Sequence, residues 1–212
     1  MTTRTVLVIN SGSSSIKYQL VDPDSGASLA SGLVERIGEE TGAITHKHDG
    51  EKFELSEPVP DHGFGLAEVL RIFAEQGPDL DEANIVAVGH RVVQGGHYFS
   101  GPALVDDDVV AKIEELVPLG PLHNPAHLKG IEVARRLLPD VPHVTVFDTA
   151  FFQNLPEEAA RYGLNRKVAD TYSIRRYGAH GTSHHFVSGE ISKRLGRDRK
   201  STRLNSSHGS AS

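Results

Sequence analysis

The chain has 212 residues, of which 38% are hydrophobic and 24% charged, with a formal net charge of −6 and no cysteine. This length and composition indicate one or two folded globular domains and argue against a disordered protein. The absence of cysteine excludes disulfides and thiolate metal sites and is typical of a reducing compartment. The negative charge argues against a general nucleic-acid-binding protein, so any anion site must be local. No apolar run approaches the ~18 residues of a membrane span, and the first residues lack a signal-peptide pattern, so we expect a cytoplasmic protein with no membrane partner.

Two short apolar segments, 5–9 and 15–21, predict the strands of a hairpin, and the loop between them carries distinctive chemistry. The first segment stops at Asn10, and one glycine and four serines precede Lys17. Small residues let backbone N–H groups approach an anion, hydroxyls donate to its oxygens, and an ammonium adds positive charge. The loop therefore predicts a phosphate-binding hairpin, although not a Walker A motif, because strand periodicity resumes after it. Taken alone, the segment is equally consistent with a flexible Ser/Gly surface turn.

The later residues predict helices and strands in alternation. In chain order, the pattern predicts a strand at 29–37, a polar segment with short alternation at 38–60, a helix at 64–76, a strand at 85–88, helices at 106–117 and 124–138, a strand at 143–147, a short helix from Pro156 and a helix at 182–195. Asn124 and Thr182 are expected to cap the helices that begin with them. Three strands followed by helix–strand units indicate an α/β fold with a mixed sheet and helices on its faces, in which ligands bind beyond the carboxyl ends of strands.

Polar residues gather where the predicted strands end. Asn10, Arg91 and Asp148 each follow an apolar segment. His123 and His180 precede predicted helix N-termini, where free backbone N–H groups and the helix dipole favour anions. The set is positively charged or rich in donors apart from one carboxylate. It suits phosphoryl transfer, a reaction that depends on positioning and charge neutralisation.

Each of these residues also has a plain structural interpretation. Asp148 could cap a loop, Arg91 could form a surface ion pair, and His123 could pack on its own helix. The His180–His184 spacing suggests zinc, because it places two imidazoles on one helix face. That zinc site would lack the intervening glutamate of His-Glu-x-x-His, and the sequence offers it no evident third ligand.

Five segments together resemble the acetate kinase family. They are 8–17 (VINSGSSSIK), 89–93 (GHRVV), 121–125 (PLHNP), 146–151 (VFDTAF) and 177–184 (YGAHGTSH). The resemblance covers essentially all of 4–197 and implies an N-terminal acetate kinase domain at 1–197. The implied fold is a ribonuclease-H-like domain of the sugar kinase/actin/Hsp70 superfamily, an α/β fold whose mixed sheet is flanked by helices.

The resemblance implies ATP as co-substrate and Mg²⁺ (or Mn²⁺) as cofactor. Asn10 matches a position associated with the metal and with phosphate, and Ser13, Ser15 and Lys17 match the phosphate loop. Asp148 matches the catalytic acidic residue, which orients the acceptor or helps to hold the metal. Because a carboxylate acceptor is already ionised at pH 7, positioning is the favoured role of this residue over proton abstraction.

The resemblance also implies a site for the acid. Arg91 matches the substrate-binding arginine, whose fork of N–H groups suits a carboxylate or a transferring phosphoryl group. Val93 and Leu122 match a small apolar pocket for the methyl group of the acid. His123 and His180 match residues that stabilise charge around the phosphoryl group.

The implied reaction is the reversible transfer of the γ-phosphoryl group of ATP to acetate, which gives acetyl phosphate and ADP, in an enzyme that is a homodimer. Two alternatives are open. One is a propionate or butyrate kinase of the same family, and the other is a non-catalytic nucleotide-binding module like actin.

The sequence departs from the family pattern in two places. Ala179 stands where an aromatic residue usually closes the acid pocket, so we expect a roomier pocket that accepts propionate better than usual. The chain also ends at about half the family's length, before the expected adenosine-binding segments, so we expect no useful kinase activity from it alone. Residues 198–208 resemble the in-frame translation of a widely used sequencing adapter, and we expect 198–212 to be a non-native tail.

Overall fold

The computed structural model describes residues 4–80 and 82–197, so the expected tail at 198–212 lies outside the described residues. The strands are β1 (Thr5–Ser11), β2 (Ser15–Val21), β3 (Ser28–Glu35), β4 (Ala43–His48), β5 (Glu51–Leu55), β6 (Ile85–Val92), β7 (Ala103–Leu104) and β8 (His143–Phe147). The α-helices are α1 (His62–Gln76), α2 (Asp107–Glu115), α3 (Asn124–Leu137), α4 (Glu157–Ala160), α5 (Arg166–Thr171) and α6 (Gly181–Leu195).

The strands form one mixed sheet in the order β5-β4-β3-β2-β1-β6-β8-β7. Strands β1 to β5 are antiparallel neighbours, whereas β1, β6 and β8 are parallel to one another and β7 is an antiparallel edge strand. An antiparallel run followed by parallel strands is the ribonuclease-H-like arrangement, so the expected fold class is confirmed. Because β1, β6 and β8 run in the same direction, their carboxyl ends meet at one edge of the sheet.

Helices α1 and α3 cover one face of this sheet. Strand β1 alternates accordingly: Leu7 and Ile9 are 0% and 1% exposed, while Val8 between them is 39% exposed. The inward residues pack in one apolar cluster with Phe73 of α1 and Val133 of α3. The outward residues of β1 therefore lie on the opposite, more open face.

A second apolar cluster supports the carboxyl end of β8. Val92, Phe99, Ile113 and Phe147 belong to it. The rings of Phe99 and Phe147 are stacked, with centroids 4.0 Å apart and planes inclined by 9°. This packing holds the end of β8, which Asp148 follows directly.

Two expectations about Arg91 and Asn124 were wrong. Strand β6 continues to Val92, so Arg91 lies inside the strand rather than after it, because pairing with β8 is kept to the end. Asn124 begins α3 but does not cap it. Its buried amide accepts from the Gln94 N–H and donates to the Gln94 carbonyl, while His123 occupies the cap position.

The expected cap at Thr182 was also wrong. Helix α6 begins one residue earlier, at Gly181, and the hydroxyl of Thr182 bonds to a different part of the chain. The two-residue β7 and the six-residue α5 were not predicted, because elements this short show no periodicity. In the part of the chain that is described, no helix has the length and apolar character that crossing a membrane requires.

Candidate active site

The turn between β1 and β2 is held in place by three hydrogen bonds. The Gly12 N–H donates to the Ser15 carbonyl at 2.7 Å, and the Ile37 N–H donates to the Ser14 carbonyl at 3.0 Å. Nε2 of His62, at the start of α1, donates to the Gly12 carbonyl at 2.7 Å. The turn is thereby tied to the segment after β3 and to α1 as well as to its own strands.

The residues expected to contact nucleotide phosphates lie on this turn and its flanks. Asn10 and Lys17 are register partners across the hairpin, and both project from the face opposite α1 and α3. Lys17 and Ser13 are exposed, and Ser15 is partly buried. The backbone N–H groups of Ser13 and Ser14 have no hydrogen-bond partner among the described residues, so they can donate to an anion.

A bidentate ion pair lies beside this hairpin and joins β6 to the end of β8. Arg91 Nη2 donates to Asp148 Oδ2 at 2.6 Å, and Arg91 Nε donates to Oδ1 at 3.3 Å. Arg91 Nη1 donates to Asn10 Oδ1 at 3.4 Å. The side chain of Asp148 is 1% exposed and that of Arg91 is 31% exposed. The structure thus brings three predicted site residues together at the carboxyl edge of the sheet.

Two donors of Arg91 are left for a ligand. A guanidinium has five N–H groups, and among the described residues Asp148 and Asn10 accept from three of them. The other two lie one on each terminal nitrogen. Adjacent N–H groups of this kind match the two oxygens of a carboxylate or phosphoryl group. Because its partners already fix the side chain, Arg91 loses little further freedom when an anion binds.

Asp148 is held by donors from a second direction as well. It begins a 3-10 helix (Asp148–Phe152) that packs on the start of α6. Thr182 Oγ1 donates to Asp148 Oδ1 at 2.7 Å. Burial raises the pKa of Asp148, but the bonds from Arg91 and Thr182 and the charge of Arg91 outweigh it and hold the pKa below its usual value. Asp148 is therefore a fixed anion and a poor general base.

Two imidazoles lie at the start of α3. His123 is exposed and His127, one turn later, is 4% exposed, and their ring centroids are 6.3 Å apart. Burial lowers the pKa of His127 to about 4, and the positive charge of Arg91 contributes to the decrease. His127 is therefore neutral at pH 7. Both of its ring nitrogens and the buried Ser11 Oγ lack a hydrogen-bond partner within the described residues.

His180 marks the start of α6. Its φ of 53° is in the left-handed region, which most residues other than glycine, asparagine and aspartate avoid. The next residue is Gly181, where an added Cβ would lie 1.8 Å from the Asp148 carbonyl oxygen. The tight approach of α6 to the end of β8 thus accounts for the glycine. His180 is exposed at the start of α6, the helix whose Thr182 bonds to Asp148.

The other histidines of α6 contact the 3-10 helix. The ring of His184 meets Phe152 edge-on, and that of His185 meets Phe151 in the same way. Within residues 4–80 and 82–197, no group of three or more histidines and carboxylates is placed to hold a metal ion.

The residues expected to form the apolar acid pocket lie on three separate loops. Val93 follows β6, Leu122 precedes α3, and Ala179 precedes α6. Leu122 is 79% exposed and Ala179 is also exposed. An apolar pocket requires these side chains to be covered, so the pocket stays a prediction.

Comparison with known proteins identifies the family. The family model described as "Acetokinase family" matches residues 5–210. The chain belongs to the acetokinase family. Over 196 residues, 91% of this chain and 48% of the relative, it is 56% identical to the acetate kinase of Corynebacterium aurimucosum. It is 52% identical to the acetate kinase of Streptomyces coelicolor over 199 residues, 93% of this chain and 49% of the relative.

Solved structures of similar proteins agree with this acetokinase identification. The Porphyromonas gingivalis acetate kinase is 42% identical, with a TM-score of 0.86, and a propionate kinase from Francisella tularensis is 38% identical, with a TM-score of 0.87. Each alignment covers 92% of this chain and 50% of the other. This acetokinase chain spans about half the length of the curated relatives it matches.

The sequence did not reveal two residues that support the acetokinase site. His62 holds the turn between β1 and β2 from 50 residues away, and no local sequence pattern indicates that contact. Thr182 stood within a recognised segment, but its spacing suggested a helix cap. Thr182 contacts Asp148, 34 residues earlier in the chain, where the start of a helix meets the end of a strand, and only the fold shows this contact.

Proposed function

We propose that this chain is the acid- and phosphoryl-binding half of an acetate kinase, which transfers the γ-phosphoryl group of ATP reversibly to acetate to give acetyl phosphate and ADP. One observation carries the proposal. The two uncommitted N–H groups of Arg91 lie beside a hairpin whose tip offers the free N–H groups of Ser13 and Ser14. A carboxylate and a phosphate chain would each find donors of the right kind there.

In this proposal the hairpin holds the nucleotide phosphates. The hydroxyls of Ser13 and Ser15 and the ammonium of Lys17 donate to phosphate oxygens, and Arg91 binds the carboxylate or the transferring phosphoryl group. His123 and His180 stabilise the charge that develops around the phosphoryl group. Positioning and charge neutralisation are the main contributions that a protein makes to phosphoryl transfer.

Asp148 acts in this proposal as the anchor of Arg91. Acetate is already ionised at pH 7 and needs no base, and both oxygens of Asp148 accept hydrogen bonds. A carboxylate in that state is suited to orienting the guanidinium. The proposal therefore assigns Asp148 a positioning role toward the acceptor.

The Mg²⁺ that the family resemblance implies would find one suitable ligand in the described residues. The amide oxygen of Asn10 is a hard oxygen of the kind that Mg²⁺ binds, and its one bond from Arg91 is long, at 3.4 Å. Mg²⁺ commonly takes its other ligands from substrate phosphates and water. Asp148 does not fit a metal site in this arrangement, because its oxygens are engaged by Arg91 and Thr182. When bound, Mg²⁺ neutralises charge on the phosphates.

The assay for this proposal measures binding of acetyl phosphate and of acetate to the 212-residue chain by isothermal titration calorimetry. Arg91→Ala should abolish measurable binding of both, and Arg91→Lys, which keeps the charge but loses the fork, should weaken it at least about tenfold. Arg71→Ala, at an exposed position of α1, is the matched control. Unchanged binding in Arg91→Ala would contradict the proposal. We expect no turnover near the ~1–100 s⁻¹ of complete kinases from this chain alone.

A propionate kinase is the second candidate. Two observations favour it: Ala179 stands at the position that the resemblance assigns to the acid pocket, and one solved relative is a propionate kinase. One methylene in an apolar pocket is worth ~1–3 kcal/mol. Ala179→Phe should therefore change the ratio of the acetate and propionate dissociation constants, and a change below about twofold would contradict this candidate. With either acid, we propose a cytoplasmic homodimer as the working assembly.

A further inference from the structure

The hydroxyl of Thr182 provides the shorter of the two side-chain bonds to Asp148 Oδ1. Its Oγ1 lies 2.7 Å from that oxygen, whereas Arg91 Nε lies 3.3 Å away. The other oxygen, Oδ2, receives Arg91 Nη2 at 2.6 Å. Each carboxylate oxygen thus has one short side-chain bond, one from Thr182 and one from Arg91. Two short bonds to different oxygens fix the plane of a carboxylate.

The position of Thr182 is itself fixed by the start of α6. Gly181 lies so close to the Asp148 carbonyl oxygen that no side chain would fit between them. The Thr182 hydroxyl reaches Asp148 Oδ1 directly from this helix start, at 2.7 Å. The positive end of a 15-residue helix adds a favourable interaction with the anion. Thr182 therefore cannot move relative to Asp148 unless the beginning of α6 moves.

We propose that Thr182 is a positioning residue of the site: its hydroxyl fixes the plane of the Asp148 carboxylate, which in turn aims the two uncommitted N–H groups of Arg91 at the ligand. The statement that Arg91 points at a ligand rests on the proposed function. The contacts that run from Thr182 through Asp148 to Arg91 are independent of it. Without the hydroxyl, Oδ1 would keep, among the described residues, the 3.3 Å bond from Arg91 Nε. The carboxylate would then rotate more freely, and the guanidinium would follow it.

The experiment compares Thr182→Val, which has nearly the same shape without the hydroxyl, with Thr182→Ser, which keeps it. Ser188→Ala is the control, since it removes another α6 hydroxyl, bonded to the His185 carbonyl. NMR follows the Arg91 Nε–Hε resonance and the pKa of the Asp148 carboxyl in the ligand-free chain. Calorimetry gives the dissociation constant for acetyl phosphate.

Thr182→Val should shift or broaden the Arg91 resonance and raise the pKa of Asp148 by about one. It should weaken acetyl phosphate binding about tenfold, the scale of a lost hydrogen bond to a charged group. Thr182→Ser and Ser188→Ala should resemble the wild type. An unchanged Arg91 resonance and Asp148 pKa in a folded Thr182→Val chain would overturn the inference, as would equal changes in Thr182→Val and Thr182→Ser.

A wild-type measurement covers the case in which Thr182→Val does not fold. The Thr182 ¹³Cβ resonance of the wild type should shift as Asp148 is protonated, because its hydroxyl is bonded to that carboxylate, and a resonance that does not respond would overturn the inference. If the wild-type chain binds no acetyl phosphate, the proposed function fails separately. The ligand-free Arg91 and Asp148 signals would still decide the role of Thr182.

Discussion

Lowering the pH from 7.5 to 5.0 should destabilise this chain through its buried histidines. His90 in β6 is 3% exposed, and its Nε2 lies 3.0 Å from Nδ1 of His143. His143 Nε2 lies 3.0 Å from the Leu138 carbonyl, which can only accept, so His143 donates there and accepts from His90. This order of bonds requires His143 to be neutral, and a positive charge on His90 would be buried beside it. Burial, with a contribution from His143, lowers the pKa of His90 to about 3, and His127 is lowered similarly, to about 4.

The sign and size of the effect follow from proton uptake. In the unfolded chain these imidazoles titrate near their ordinary pKa of 6.5. A group whose pKa is lower in the folded state contributes its full stability above the unfolded value and loses it as the pH falls below that value. At pH 5.0 only the unfolded chain has protonated these rings, so His90 and His127 each lose roughly 2 kcal/mol relative to pH 7.5. The two together amount to a large share of the ~5–15 kcal/mol typical of a folded domain.

Urea unfolding followed by circular dichroism at pH 7.5 and 5.0 measures this loss. The wild type should lose at least roughly 4 kcal/mol between the two pH values, because the pKa values of His46 and His143 are lowered by burial as well. His90→Gln, which can still donate to His143, should lose roughly 2 kcal/mol less than the wild type. His97→Gln is the control, because an exposed imidazole is hydrated in both the folded and the unfolded chain. Equal pH dependence in the wild type and in His90→Gln would refute the assignment of His90 as a buried neutral group.

Three further predictions concern the site. Gly181→Ala should lower the melting temperature markedly, because the added methyl would lie 1.8 Å from the Asp148 carbonyl oxygen, and a change of less than about 2 °C by calorimetry would contradict this packing. Asp148→Asn should cost roughly 3 kcal/mol in urea unfolding, since it leaves a partly buried guanidinium without its counter-charge; Asp107→Asn, which breaks an exposed pair, should cost less than about 1 kcal/mol. His62→Phe removes a donor to the Gly12 carbonyl, so hydrogen exchange of the Gly12 and Ile37 amides, which are bonded to the turn, should accelerate, and unchanged protection of both would show that His62 does not hold the turn.

Local sequence chemistry predicted much of the fold. The stop of the apolar run at Asn10 and the return of alternation after Lys17 predicted a hairpin, and β1 and β2 form it. The acidic residues before α2 predicted its start, and the Asp106 side chain accepts from the Val109 N–H as a cap does. Such features depend on residues within a few positions of one another, so a single sequence carries them. Short elements and the ends of elements were harder to predict from the sequence, because tertiary contacts determine them.

The candidate site was only partly predictable. The sequence placed Asn10, Arg91 and Asp148 at strand ends, and the parallel pairing of β1, β6 and β8 makes those ends neighbours. It did not indicate that Arg91 would pair with Asp148, 57 residues away, or that Thr182 would bond to the same carboxylate. Those bonds depend on side-chain directions where a helix start meets a strand end.

The sequence by itself therefore determined the chemical inventory: a donor-rich hairpin, an arginine near the end of one apolar strand, a carboxylate directly after another, and the family to which they belong. Only the tertiary structure determined which of these residues form hydrogen bonds with one another. Both oxygens of Asp148 accept from Arg91 or Thr182, so it serves as an anchor, and Arg91 keeps two donors for a ligand. The physical reason is that hydrogen-bond partners are set by atoms brought together by folding, whereas residue type and spacing are properties of the chain.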